Sequence, residues 1–235
     1  MTRKLNAGNG TPHDTSLSGV LGSPSNPPPL YDPAFEHDGC GTGFIAKIDG
    51  ERTHEVVKLA VRSVANLTHR GAVSADAASG DGAGVTLQIP RELLADDAAR
   101  MGMNEADLSR LAVAMVFLPV EEKMRDQARA VLDAAVVGTG MVALGWRRVP
   151  TDQSVLGASA LESLPGIEQL FIERPSGMSS AEFDRALYLA RCRAEAKYRA
   201  EGTDCYMVSM SARTVVYKGL MVATQLASFF PDLED

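Results

Sequence analysis

The sequence has no long apolar run, no cluster of basic residues and too few cysteines for a disulfide framework. Its longest apolar stretch, Leu111 to Val120, is too short to span a bilayer. The 235 residues carry a net charge of −7, whereas nucleic acid and anionic membranes are bound by clustered Lys and Arg. Arg3 and Lys4 are followed by no apolar signal core. We therefore expect a cytoplasmic protein that binds neither nucleic acid nor membranes.

The three cysteines, Cys40, Cys192 and Cys205, are an odd number in a chain without a secretion signal, which predicts free thiols. Cys192 falls in a helical stretch and Cys205 opens an apolar strand, so we expect both to be structural. The four histidines are scattered along the chain at His13, His37, His54 and His69. Because zinc sites need Cys and His pairs at ligand spacing, we expect no metal site.

Residues 1–39 differ in composition from the rest of the chain. They are rich in Pro, Gly, Ser, Asn and Asp, contain Pro27-Pro28-Pro29 and show no apolar periodicity. This composition predicts a disordered or extended leader. The remaining residues, 40–235, are expected to form one domain, because the chain is 45% hydrophobic and has no second linker.

Helical and strand patterns are intermixed after the leader. Helices are predicted from an N-cap at Thr53 and over about 121–135 and 181–199. Strands are predicted over 43–48, 85–89, 112–118, 141–147, 169–172, 205–210 and 214–217. The short link Ser211-Ala212-Arg213 predicts an antiparallel hairpin between the last two strands, so the sheet should not be purely parallel.

Cys40 stands at the boundary between the leader and the first strand-like run. Removal of the leader would place a free α-amine beside its thiol, and a nucleophile with an adjacent base suits acyl transfer on an amide. The alternative is a small buried hydrophobic residue. Glycines at 39, 41 and 43 pack poorly around an inert core thiol but allow a substrate to approach closely.

The glycine-rich stretch 80–84 is similar to a dinucleotide-binding fingerprint. However, valine occupies the third glycine position and the stretch leads into a strand, which argues against that function. His69 could act as a base for a cysteine, but capping of the preceding helix is the favoured interpretation. Arg70 could bind a carboxylate or pair with Asp76 or Asp81, and the residues alone leave both readings open.

Six segments in the same order resemble the class II glutamine amidotransferase domain, in the form found in the large subunit of glutamate synthase. They are residues 40–46, 67–72, 80–85, 169–175, 205–211 and 212–219. The resemblance extends from about residue 31 to residue 233. Each motif is weak alone, but six in register exclude coincidence.

This resemblance implies an α/β fold of the N-terminal-nucleophile hydrolase type, a four-layer αββα sandwich with two antiparallel-rich sheets between helical layers. It implies that residues 1–39 are a propeptide, that Cys40 is the nucleophile and its α-amine the base, and that Arg70 lies near the nucleophile and binds substrate. Arg213 is expected to be a structural residue of the hairpin. The implied reaction is hydrolysis of L-glutamine to glutamate and ammonia through a thioester on Cys40, with the ammonia used for glutamate synthesis from 2-oxoglutarate.

The chain also departs from the family pattern. Full-length subunits continue with barrels that carry FMN and an iron–sulfur cluster, whereas we expect no cofactor in this chain. The sequence does not indicate whether NADPH, NADH or ferredoxin supplies the electrons, or whether a small electron-donating subunit takes part. An Arg-Xaa-Ser-Thr segment and an Asn-Gly pair that follow later in family members are not found, so we expect a C-terminally incomplete domain. Because one lost oxyanion donor costs roughly a hundredfold to a thousandfold in rate, this chain alone should have little activity.

Two other functions are compatible with the sequence. One is another class II amidotransferase, such as the amidophosphoribosyl or asparagine-forming enzymes, or a self-processing amide hydrolase. The other is a non-catalytic remnant or interaction module. The long leader and Tyr217-Lys218-Gly219 favour glutamate synthase.

Overall fold

The computed structural model describes residues 41–68 and 78–234, and its strands form two antiparallel sheets. The α-helices are α1 (His54–Asn66), α2 (Ala95–Arg100), α3 (Glu122–Val137), α4 (Ala158–Glu162), α5 (Ser180–Glu201) and α6 (Leu226–Phe229). The strands are β1 (Ala83–Gln88), β2 (Leu111–Leu118), β3 (Val142–Arg148), β4 (Gly166–Glu173), β5 (Tyr206–Ser211) and β6 (Thr214–Gly219). Short 3-10 helices span Glu105–Arg110, Gln153–Val155, Ala223–Gln225 and Pro231–Leu233. None of the helices in this part of the chain is long and apolar enough to cross a membrane.

The larger sheet has the strand order β3-β4-β2-β5, and all its neighbouring strands are antiparallel. Strand β2 lies inside this sheet and is almost entirely buried. Its odd-numbered residues, such as Val113 and Met115, belong to one hydrophobic cluster, and its even-numbered residues, such as Ala114 and Val116, belong to another. A continuous apolar run is therefore what this strand needs, because both of its faces are covered.

Helices α3 and α5 cover one face of the larger sheet. Leu132 of α3 and Ala190 of α5 are fully buried in the same cluster as the even-numbered residues of β2. Helix α5 begins with a capping box, in which Ser179 and Glu182 satisfy each other's backbone N–H groups, and it ends at Gly202 with φ 65°. Both features fix the length of the helix. The helices predicted near 121–135 and 181–199 are thus confirmed.

The second sheet, β1 paired antiparallel with β6, lies on the other face. Val85 and Tyr217, which are register partners, pack in the same cluster as Phe171 of β4. Helix α1 packs against this cluster through Val57, Ala60, Val61 and Val64. The layers are therefore helix, sheet, sheet and helix, and the predicted αββα arrangement with antiparallel sheets is confirmed. Thr53 is the N-cap of α1 as predicted, although its side chain makes no cap hydrogen bond.

The strand predicted over 43–48 was wrong, because these residues form no regular structure. Only the turn at Asp49-Gly50 follows the prediction, with the Gly50 N–H donating to Lys47 O at 3.1 Å and φ 73° at Gly50. Phe44 and Ile48 remain 94% and 108% exposed. An alternating apolar pattern makes a strand only when another strand pairs with it, and no described strand pairs with this segment.

The predicted hairpin of the last two strands was also wrong. Strand β5 pairs with β2 in the larger sheet, whereas β6 pairs with β1 in the smaller one. The link between them carries the chain from one sheet to the other, and Ser211 Oγ accepts the N–H groups of Arg213 at 3.0 Å and Thr214 at 3.3 Å. A short link sets the distance between two strands but does not decide which strand each will pair with.

Candidate active site

The predicted nucleophile Cys40 and the predicted substrate-binding residue Arg70 lie outside the described residues, as do His69 and Asp76. Their immediate neighbours in the chain are described. Gly41 follows Cys40 directly, and Leu67 precedes Arg70 by three residues. The structure therefore describes the residues that flank Cys40 and Arg70 in the sequence.

Gly41 and Leu67 lie close together. A Cβ atom added to Gly41 would lie 3.2 Å from both Cδ atoms of Leu67, which is a tight contact. Leu67 is the C-cap of α1, and its N–H donates to Val64 O at 3.0 Å. Gly41 thus lies close to the end of α1, and a larger residue at position 41 would require the Leu67 side chain to shift by a few tenths of an ångström.

The glycines of the 80–84 stretch allow β1 to approach β6 closely. A Cβ atom added to Gly84 would lie 2.6 Å from Cβ of its register partner Lys218, closer than real side chains come. Gly82 has φ 121°, in the region that favours glycine. The stretch therefore serves strand pairing, in agreement with the expectation that it leads into a strand.

A buried polar network lies between the strands and the C-terminal 3-10 helix. Arg147 donates through Nη1 and Nη2 to Asp232 at 2.7 and 2.9 Å, through Nε to Asp97 at 2.6 Å and through Nη1 to Gln169 Oε1 at 3.1 Å. Tyr217 accepts from Gln169 Nε2 at 3.1 Å and donates from its hydroxyl to Asp232 at 2.8 Å. The side chains of Arg147 and Asp232 are only 10% and 4% exposed. Each member has a partner, so the network can hold β3, β4 and β6 to residues 231–233.

The network also sets the protonation states of its members. Burial disfavours the charge on Arg147, but the hydrogen bonds and charge of Asp232, together with the bond to Asp97, outweigh burial and raise the pKa of Arg147 above its ordinary value. Burial, and next the charge of Asp232, raise the pKa of Tyr217, which keeps the phenol neutral. This network was not predicted from the sequence. The available signal was Gln169, a polar residue within an otherwise apolar strand.

Two described cysteines, Cys192 and Cys205, are free thiols. Burial raises the pKa of Cys205 to about 11, so that it is a thiol and a poor nucleophile at neutral pH. Cys192 is exposed on α5. Among the side chains that the structure describes, no group of three or more His, Cys, Asp and Glu is placed to hold a metal ion.

Arg213 makes structural contacts. Its backbone carbonyl accepts the Ile89 N–H at 3.0 Å, and its guanidinium group forms an ion pair with Asp184 of α5. These bonds join the link between the two sheets to the end of β1 and to the helical layer. Its expected structural role agrees with these contacts.

Comparison with known proteins identifies the family of this chain. The sequence pattern of the class-II glutamine amidotransferases matches residues 40–235. The chain is 36% identical over 237 residues to the glutamate synthase [NADPH] large chain of Azospirillum brasilense, which covers all of this chain and 15% of that protein. It is 43% identical over 213 residues to ferredoxin-dependent glutamate synthase 2 of Synechocystis sp., covering 90% of this chain and 14% of that protein. It is 38% identical over 207 residues to the glutamate synthase [NADPH] large chain of Bacillus subtilis, with coverages of 88% and 14%.

The chain thus spans about one seventh of the length of these relatives. The family pattern, by contrast, covers more than four fifths of the chain. The antiparallel sheets between helical layers are the architecture that the resemblance implies. The chain therefore belongs to the class-II glutamine amidotransferases.

Proposed function

We propose that this chain is the glutaminase portion of a glutamate synthase large subunit, and that it releases ammonia from L-glutamine through a thioester on Cys40. The observation that carries the proposal is the extent of the family match, which begins at Cys40. The first matched residue is thus the cysteine that stands at the end of the leader. Relatives of both the NADPH and the ferredoxin type support the assignment to glutamate synthase.

The first half-reaction needs Cys40 at the N-terminus of the mature chain. Removal of residues 1–39 frees an α-amine with an ordinary pKa of roughly 7.7–8.0, which is neutral enough near physiological pH to take the thiol proton. The thiolate attacks the side-chain amide carbon of glutamine and forms a tetrahedral intermediate. The C–N bond then breaks, the amine returns its proton to the leaving nitrogen, and ammonia departs. A γ-glutamyl thioester remains on Cys40.

The second half-reaction reverses these roles with water. The α-amine takes a proton from water, the resulting oxygen nucleophile attacks the thioester carbon, and the C–S bond breaks. Glutamate leaves and the thiol recovers its proton. In this proposal Arg70 binds the α-carboxylate of glutamine, because a guanidinium group matches a carboxylate with two hydrogen bonds.

The rest of the proposal concerns the protein as a whole. The remainder of the large subunit would use the released ammonia for glutamate synthesis from 2-oxoglutarate and would hold FMN and an iron–sulfur cluster. We also propose that a small electron-donating subunit takes part and that the protein is cytoplasmic. The closeness of Gly41 to Leu67 supports the glutaminase part, since it brings the residue next to Cys40 near the end of α1.

The test is the substitution Cys40→Ser in the complete protein, with Cys192→Ser as the matched control. Serine lacks a readily formed anion, so we expect Cys40→Ser to abolish glutamine hydrolysis while ammonia-dependent glutamate formation persists. Cys192 is exposed on α5 and should be dispensable. Glutaminase activity retained by Cys40→Ser would exclude Cys40 as the nucleophile.

A further inference from the structure

We draw no further inference here: the strongest candidate, the exposed outer face of helix α5 that presents Tyr188, Leu189 and Cys192, carries no proposal because nothing in the structure shows what covers it.

Discussion

Replacing Arg147 with methionine should cost the domain about 3–5 kcal/mol of unfolding free energy, the usual effect of removing one partner of a buried ion pair. Methionine keeps most of the aliphatic volume but removes four hydrogen bonds, two of them to Asp232. Among the described residues, the Asp232 carboxylate, 4% exposed, would keep only the hydroxyl of Tyr217 as a partner. An uncompensated buried charge is the main source of the expected cost.

The assay is equilibrium unfolding in urea, followed by far-ultraviolet circular dichroism. Arg213→Met is the matched control, because Arg213 also pairs with an aspartate but is 77% exposed, so its loss should cost at most about 1 kcal/mol. Adding Asp232→Asn to Arg147→Met removes the unpaired charge, and the pair should show a coupling energy of about 0.5–3 kcal/mol in a double-mutant cycle. Equal stabilities of Arg147→Met and Arg213→Met would show that the buried pair contributes no more than the exposed one.

Two further predictions concern strand packing and pH. Gly84→Ala should lower the free energy of unfolding by about 1–3 kcal/mol, because the new Cβ would lie 2.6 Å from Cβ of Lys218. Gly43→Ala is the control: its Cβ meets no atom within 4 Å, so the unfolding midpoint should not change. Burial raises the pKa of Cys205 from 9.0 to about 11, so its stabilising contribution is complete below pH 9 and is lost as the pH rises towards 11. In Cys205→Ala the free energy of unfolding should therefore fall less between pH 9 and 11 than in the wild type, whereas Cys192→Ala should behave like the wild type. Identical pH profiles for the wild type and Cys205→Ala would contradict the burial of this thiol.

Elements with a strong local pattern were predictable from the sequence. The apolar run of β2, Leu111–Leu118, identifies a strand covered on both faces, and the Ser179 capping box marks the start of α5. Such signals need only neighbouring residues, because the spacing of side chains along a helix or strand follows from its geometry. These helices and strands make up most of the fold.

Pairing and buried polar contacts were not predictable in the same way. The link between β5 and β6 has the length of a hairpin, yet β5 pairs with β2 and β6 pairs with β1, both of which are far away in the sequence. The Arg147 network likewise joins residues tens of positions apart. No local pattern reports such contacts, since they depend on which strands and helices pack together.

For the site, the sequence predicted Cys40 from its neighbours and from the family resemblance, and it predicted Arg70 from the resemblance alone. The structure adds that Gly41 lies close to Leu67, which the sequence alone did not predict. That closeness depends on the path of the chain before α1. The chemical roles of Cys40 and Arg70 stay predictions of the proposed function.

The most direct test of the account is the intact mass of the complete protein after incubation with a diazoketone that mimics glutamine, followed by mapping of the adduct. The account predicts loss of residues 1–39 and a single adduct on Cys40, because the freed α-amine and the thiol together form the nucleophile. A chain that keeps its leader while it hydrolyses glutamine, or an adduct on Cys192 or Cys205 with Cys40 unmodified, would contradict it.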